Sequence, residues 1–174
     1  CLEKFNKIKD GSIDLVFADL PFGITNNNWD IPIPFKPMWA EINRVTKPKA
    51  VTLLFGIQPF TSALVMSNYK KFKYEWIWEK PQGTGHLNAN KQPLRSHEHI
   101  LVFADGQNLY NPQFSKGEAY TGKTGRQTSN YGTFSQVPII NEGTRHPTTI
   151  LKFEKDKYKV DPTQKPLALL QFLI

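Results

Sequence analysis

Cysteine is almost absent: Cys1 is the only one among 174 residues, so neither a disulfide framework nor a cysteine-based zinc cluster can be built. No apolar run approaches the roughly 20 residues that a membrane-spanning helix requires, and residues 1–10 lack the long apolar stretch of a secretory leader. A cytoplasmic location is expected. Acidic side chains are also scarce, 15 against 22 Lys and Arg, which leaves a formal charge of +7 and a pI near 9.4. That surplus favours association with a polyanion through counterion release, and so points to nucleic acid, though only weakly. Internal repeats are lacking. What is present is 39% hydrophobic and 13% aromatic residues, enough at this length for one substantial core. Cys1 is not a methionine and Ile174 falls inside an apolar helical pattern, so both ends read as cut.

After the turn signal Asp10-Gly11, residues 12–18 are β-forming and mostly apolar, as expected of a strand buried on both faces, with Asp19 at its carboxyl end. From Pro37 the apolar positions Met38, Trp39, Ile42 and Val45 recur at helical spacing, and Pro48 is expected to close the element. Residues 50–55 read as a second strand ended by Gly56, 58–68 as a second helix, and 73–80 as a strand with Tyr74, Trp76 and Trp78 on one face. Residues 81–96 carry Gly83, Gly85 and Pro93 without periodicity and read as a loop before a strand at 98–104. Strands alternating with helices predict an α/β sheet.

Residues 105–145 differ, with six glycines, many polar residues and few aliphatics. So long a stretch without regular structure is uncommon in a compact domain. Its aromatics, Tyr110, Phe114, Tyr120, Tyr131 and Phe134, argue for a functional insertion rather than a solvating linker. Strand character returns at 148–153, a charged connector follows at 154–159, and a helix starts from Pro166 through Leu167, Leu170 and Leu173. The expected division is 1–104, 105–147 and 148–174.

Ligands of open α/β sheets bind beyond the carboxyl ends of the strands, which draws attention to Asp19, Leu20, Pro21 and Phe22. Pro21 biases Leu20 toward an extended conformation and so directs the Leu20 carbonyl relative to the Asp19 carboxylate. Two acceptors can then converge on one amine. An exocyclic amine of a nucleobase is a poor nucleophile because its lone pair is delocalised into the ring. Acceptors on both its N–H groups pull the nitrogen toward tetrahedral geometry and expose the lone pair. Phe22 offers a flat surface for an extruded base, and such stacking contributes roughly 1–3 kcal/mol per base. This is catalysis by positioning.

Asp19 to Phe22 resembles motif IV of the amino-methyltransferases (Asp, Pro, Pro, then Tyr or Phe). Asp161, Pro162, Thr163, Gln164, Lys165 and Pro166 resemble their motif X, commonly His, Pro, Thr, Gln, Lys, Pro. The order matches the β-class DNA methyltransferases of restriction-modification systems and phages. Trp78 to Pro81 and Arg95 to Glu98 resemble the motif VIII region, so the likeness spans nearly the whole chain. It implies an incomplete Rossmann-like methyltransferase sheet with helices on both faces and an irregular target-recognition insertion. It also implies S-adenosylmethionine as methyl donor, contacted by Asp19, Thr163, Gln164, Lys165 and Pro166, and double-stranded DNA as substrate, with base flipping and transfer to the N6 amine of adenine. By the same analogy a homodimer, a cognate restriction endonuclease and a prokaryotic or phage origin are expected.

The chain departs from the pattern in three ways. Leu20 replaces the first proline, which costs rigidity but keeps the carbonyl. Asp161 replaces the common histidine. The glycine-rich loop that follows the motif X helix in the family falls beyond Ile174, so a truncation before that cofactor motif is expected.

Lys80, Arg95 and His97 read either as solvated charges around a loop or, by the resemblance, as DNA-backbone contacts at the mouth of the site. Glu98 is expected to pair with Arg95. In the insertion Lys116, Lys123, Arg126 and Arg145 are candidate DNA contacts, with Arg126 preferred for guanine recognition. His86, His99 and His146 show no metal-ligand spacing, and no metal is expected. Trp76 and Trp78 read as sheet packing. Competing readings are an N4-cytosine enzyme, whose motif more often begins with Ser, an enzyme acting on an RNA or protein glutamine amine, and a non-catalytic nucleic-acid-binding relative.

Overall fold

A computed structural model describes residues 2–122, 138–158, 160–161 and 163–174. Cys1, Arg126, Lys123, Tyr131, Phe134 and Pro162, all named above, lie outside them. The chain divides into two units, one formed by Cys1–Tyr110 with Thr149–Ile174 and the other by Asn111–Thr148.

Strand β1 (Ile13–Asp19) follows a turn at Gly11. Helix α1 (Phe35–Val45) buries Met38, Trp39, Ile42 and Val45, the spacing of one helix face. The Thr46 hydroxyl donates to the Ile42 carbonyl at 2.8 Å as the helix ends. Strand β2 (Thr46–Gly56) then starts at once, earlier than the sequence suggests. Pro48 does not close the element: it sits where the β1–β2 ladder is interrupted, between the pairs Ile13 with Thr46 and Leu15 with Val51. A residue without an N–H is tolerated where the ladder has no use for one. Helix α2 (Phe60–Ser67) follows, then β3 (Phe72–Thr84) and β4 (Arg95–Ala104).

These last two strands are longer than expected. Residues at both ends of the anticipated 81–96 loop belong to them, and Thr84 pairs with Arg95 next to the connecting loop of the hairpin. A short strand β9 (Ile150–Lys152) and helix α3 (Leu167–Leu173) complete this unit.

Among the described residues the strands form one five-stranded sheet in the order β1-β2-β4-β3-β9. β1 runs parallel to β2 and β3 to β9, while β4 is antiparallel to both of its neighbours. The sheet is thus mixed, and the start of β4 lies at the same rim as the carboxyl ends of β1, β2 and β3. Alternation sorts the core into two layers. Leu54, Leu101 and Phe103 pack with α1 and α2, whereas Leu53, Phe55, Trp76, Trp78, Ile100 and Val102 pack with α3. Helices therefore cover both faces, as the resemblance implied.

Helix α3 is anchored by Leu169, fully buried against that second layer. Thr163 does not cap it. The Asp156 carboxylate instead accepts the Leu167 N–H at 3.1 Å, a negative charge at a helix start, while Thr163 closes a turn on Asp161 through its N–H at 2.7 Å.

The second unit has regular structure where none was expected: strands β5 (Ser115–Lys116) with β8 (Thr144–Arg145), and β6 (Tyr120–Thr121) with β7 (Ile140–Asn141), form antiparallel pairs. The Arg145 guanidinium lies 5.0 Å from the centre of the Tyr120 ring and donates to Asn141 Oδ1 at 2.7 Å.

Leu169→Ala should lower stability by about 2–5 kcal/mol, the cost of a cavity at a closed site. Exposed Leu167→Ala on the same helix should change it by less than about 0.5 kcal/mol. Urea unfolding of the two variants measures both.

Candidate active site

The rim where β1, β2, β3 and the start of β4 meet gathers charge from distant parts of the chain. Asp19 ends β1, and its Oδ2 accepts from Lys165 Nζ at 2.6 Å across 146 positions of sequence. The Lys165 ammonium also lies 3.2 Å from Glu98 Oε2 and 5.0 Å from the centre of the Phe55 ring. The other Glu98 oxygen, Oε1, faces Lys80 Nζ at 3.4 Å, and Lys80 donates to Thr84 Oγ1 at 3.1 Å. Two carboxylates and two ammonium groups thus interleave. The side chains of Lys80, Lys165 and Glu98 are 6%, 12% and 15% exposed, while that of Asp19 is 40% exposed. The carboxylate proposed to meet substrate is the open member of the cluster.

Burial sets the electrostatics, because the charged form of each group loses hydration. It pushes the Asp19 carboxyl above its ordinary value; the Lys165 ammonium offsets part of that rise and the neighbouring Glu98 adds to it. Burial pulls Lys165 down, but Glu98 and Asp19 together outweigh it and hold the ammonium above its usual value. For Lys80 burial wins over Glu98 and the value falls.

The cluster opens into a cavity of about 670 Å³ whose walls include Asp19, Leu20, Pro21 and Phe22 from one side and Asp161, Thr163, Gln164 and Lys165 from the other. That volume falls in the range of small-molecule sites. Phe22 packs on Phe60 with ring centres 5.2 Å apart, which fixes the plane it offers. Trp29, 62% exposed, also lines the cavity.

Residues 13–174 match the model of the N6/N4 methyltransferase family, described as DNA methylase. The chain belongs to the N6/N4 DNA methylase family. Among solved structures it is similar to a complex of M1.HpyAVI with SAM, at 18% identity and a TM-score of 0.56, covering 99% of this chain and 70% of that one. It is also similar to PvuII DNA methyltransferase (cytosine-N4-specific), at 12% identity and a TM-score of 0.62, covering 99% of this chain and 66% of that one. At these identities the likeness concerns the fold, and the chain spans about two thirds of the length of the PvuII enzyme. Among the described residues no helix is long and apolar enough to cross a membrane.

Within this methylase fold the two halves of the expected site, Asp19 to Phe22 and Thr163 to Lys165, come to one cavity; Pro166 is buried. Gln164 turns its amide to Asp156 Oδ2 at 3.0 Å and accepts the Val160 N–H at 3.1 Å, so it braces its own segment. Of the anticipated DNA contacts, Arg95 is exposed and lines the cavity, and His97 is exposed with its ring 5.1 Å from that of His99. Lys80 is buried in the wall rather than presented to solvent. Glu98 pairs with Lys80 and Lys165, not with Arg95.

The sequence reading missed Asp30. It is 7% exposed, and it organises the loop that carries Trp29. Its Oδ1 accepts the Gly23 N–H at 2.8 Å, and its Oδ2 accepts the Ile24 N–H at 2.9 Å, the Thr25 N–H at 2.8 Å and the Thr25 hydroxyl at 2.8 Å. Burial alone would raise its pKa, but these donors from Gly23, Thr25 and Ile24 outweigh it and hold the carboxyl at about 2. Gly23 itself has φ of 71°, and a Cβ there would stand 2.5 Å from Pro32 Cγ, so glycine is required for this wrap. A hint existed in the sequence: an Asp placed after Gly23 and Thr25 in a polar loop, the company an Asx-type tie needs.

Asp30→Asn leaves one acceptor oxygen where two now serve Gly23, Ile24 and Thr25 and sets an N–H donor against at least one backbone N–H, so stability at neutral pH should fall by about 2 kcal/mol. The native pKa lies below the ordinary 3.8. The carboxylate's contribution is therefore complete above pH 3.8 and is lost as pH falls toward and through about 2. The gap between the variant and the parent protein in urea unfolding should close over that window.

Proposed function

We propose that the chain carries the amine-activating site of a DNA methyltransferase that moves a methyl group from S-adenosylmethionine to the N6 amine of a flipped adenine. The observation that carries this reading is the open Asp19 carboxylate at the rim of β1, beside the Leu20 backbone and the Phe22 ring, in a cavity shared with the Thr163 to Lys165 segment. Family membership supports methyl transfer, and the SAM complex of M1.HpyAVI supports the donor.

The residues present suit such a donor. The cavity sets Asp19 and Asp161 beside Lys155, Lys165 and Arg95 and the apolar walls of Phe22, Ile57 and Trp78, a match for a ligand that carries charges of both signs and a flat apolar part. When bound, the donor supplies an electrophilic methyl on a sulfonium. Everything else in the proposed reaction belongs to the chain. Phe22 stacks the extruded ring, whose unpairing costs a few kcal/mol that stacking helps offset. The Leu20 carbonyl and Asp19 each accept one N–H of the amine, which localises its lone pair and aims it. A proton leaves the nitrogen with the transfer, and Asp19 is its nearest acceptor, its raised affinity for protons suiting that part. The basic Arg95 and exposed His97 are assigned to the DNA backbone, and Arg126 to base recognition. A homodimer, a cognate nuclease and a cytoplasmic setting belong to the same proposal.

N4 of cytosine is the second reading, because the PvuII enzyme of the same fold is cytosine-N4-specific. An aspartate at position 19 favours adenine, since the cytosine enzymes more often begin the motif with Ser. Mass analysis of nucleosides from DNA treated with the protein should show N6-methyladenine; N4-methylcytosine alone would overturn the adenine assignment.

Asp19→Asn should keep the fold and lower turnover by about 10²-fold or more, the scale of losing one preorganised hydrogen-bonding group in a reacting site. Since the Asp19 carboxyl titrates above its ordinary 3.8, turnover of the parent protein should fall on the acid side as the carboxylate is protonated, with its limb above pH 3.8. Normal turnover of the folded variant would refute the role of Asp19.

A further inference from the structure

Glu98 closes the stretch Arg95 to Glu98 that resembles the motif VIII region, has no role assigned above, and sits at the centre of the charge cluster. Its Oε1 is held by Lys80. Its Oε2 is buried, stands 3.2 Å from Lys165 Nζ, and among the described residues has no well-directed hydrogen bond. A buried carboxylate oxygen held only by a cation that points its best bond elsewhere is under-satisfied. The same ammonium donates its well-directed bond to Asp19 Oδ2 at 2.6 Å. Lys165 is therefore shared unequally between two carboxylates, closer to Asp19 than to Glu98.

The closer one is the wrong partner for the reaction. In the reading above, Asp19 must accept an N–H of the substrate amine, and a cation on Oδ2 both occupies that oxygen and drains its basicity. We infer that Glu98 is a positioning residue that takes Lys165 over from Asp19 when the amine arrives. This rests on the proposed role of Asp19. One Lys165 N–H leaves Asp19 Oδ2, the ammonium tightens onto Glu98 Oε2, and the substrate N–H takes its place. No proton is transferred in the exchange, and the cluster keeps the same net charge. The parts that must stay still do so: Lys80, tied to Thr84 Oγ1 at 3.1 Å, steadies Glu98, and the Phe55 ring faces the ammonium. In the resting protein the Lys165 contact caps Asp19, which keeps a partly exposed carboxylate with a raised pKa in its charged form.

The test is kinetic. Glu98→Gln preserves shape and removes the charge that attracts Lys165. The variant protein should show kcat at least about tenfold lower, with KM for DNA and for the donor within about twofold and a thermal midpoint close to that of the parent; a purely structural role would move the midpoint instead. A kcat within twofold of the parent, or a change confined to KM, overturns the inference. A structure of the unaltered protein bound to DNA and a non-reactive donor analogue serves even if Glu98→Gln does not fold. Lys165 should then be bonded to Glu98 Oε2, and Lys165 still bonded to Asp19 Oδ2 beside the bound amine overturns the inference. Asp19→Asn in the same assay separates the two levels. If it is active, the reading of Asp19 fails; if it is inactive while Glu98→Gln is normal, only the exchange fails.

Discussion

The ion pair between Lys165 and Asp19 joins the first strand of the sheet to the segment that enters the last helix, and it brings the two halves of the cavity together in the resting protein. The pair is expensive to assemble, because both groups give up water at a rim that is only partly open. It survives because the fold delivers further partners. β4 runs antiparallel to β2, so its beginning brings Glu98 beside the end of β1. β3 runs back along β4 and brings Lys80 to the other side of Glu98. Alternating charges at these distances partly repay one another's desolvation, and the result is a cluster in which one carboxylate stays accessible.

Around that cluster the apolar framework acts as a jig. Leu169 seats α3 on the face formed by Phe55, Trp76, Trp78, Ile100 and Val102, while α1 and α2 close the opposite face through Trp39, Ile42 and Leu64. Phe22 packs against both layers, so the ring proposed to receive a base is fixed by the same core that fixes the strands. The loop beyond it is organised by one buried carboxylate, Asp30, rather than by packing. Trp29 can therefore remain exposed next to a well-ordered turn, an arrangement suited to a planar ligand.

Much of this was legible in the sequence where period and punctuation carry the signal. Met38, Trp39, Ile42 and Val45 declare α1, the apolar run before Asp19 declares β1, and Leu170 and Leu173 after Pro166 declare α3. The motifs around Asp19 and Lys165 pointed to two segments that the fold brings to one cavity. Long-range pairing was not legible. Lys80 and Glu98 resemble any surface charges until the β3–β4 hairpin places them face to face with Lys165, and Pro48 resembles a stop until the ladder is seen to skip it. Thr84 and Arg95 lie in what reads as loop because cross-strand pairing leaves no local pattern in a stretch rich in glycine. Asp30 hid for a related reason: its value lies in three backbone N–H groups, which have no letter in a sequence.

The central claim is that Asp19 and the Leu20 carbonyl bind the exocyclic amine of an extruded base. Its most direct measurement compares the binding of two DNA duplexes, one with adenine at the target position and one with purine, which lacks the amine, to the parent protein and to Asp19→Asn. The account predicts that the parent prefers the adenine duplex by about tenfold or more, the worth of a hydrogen bond to a charged group, and that Asp19→Asn loses this preference. An unchanged preference in the folded variant would show that the amine is held elsewhere and would contradict the account.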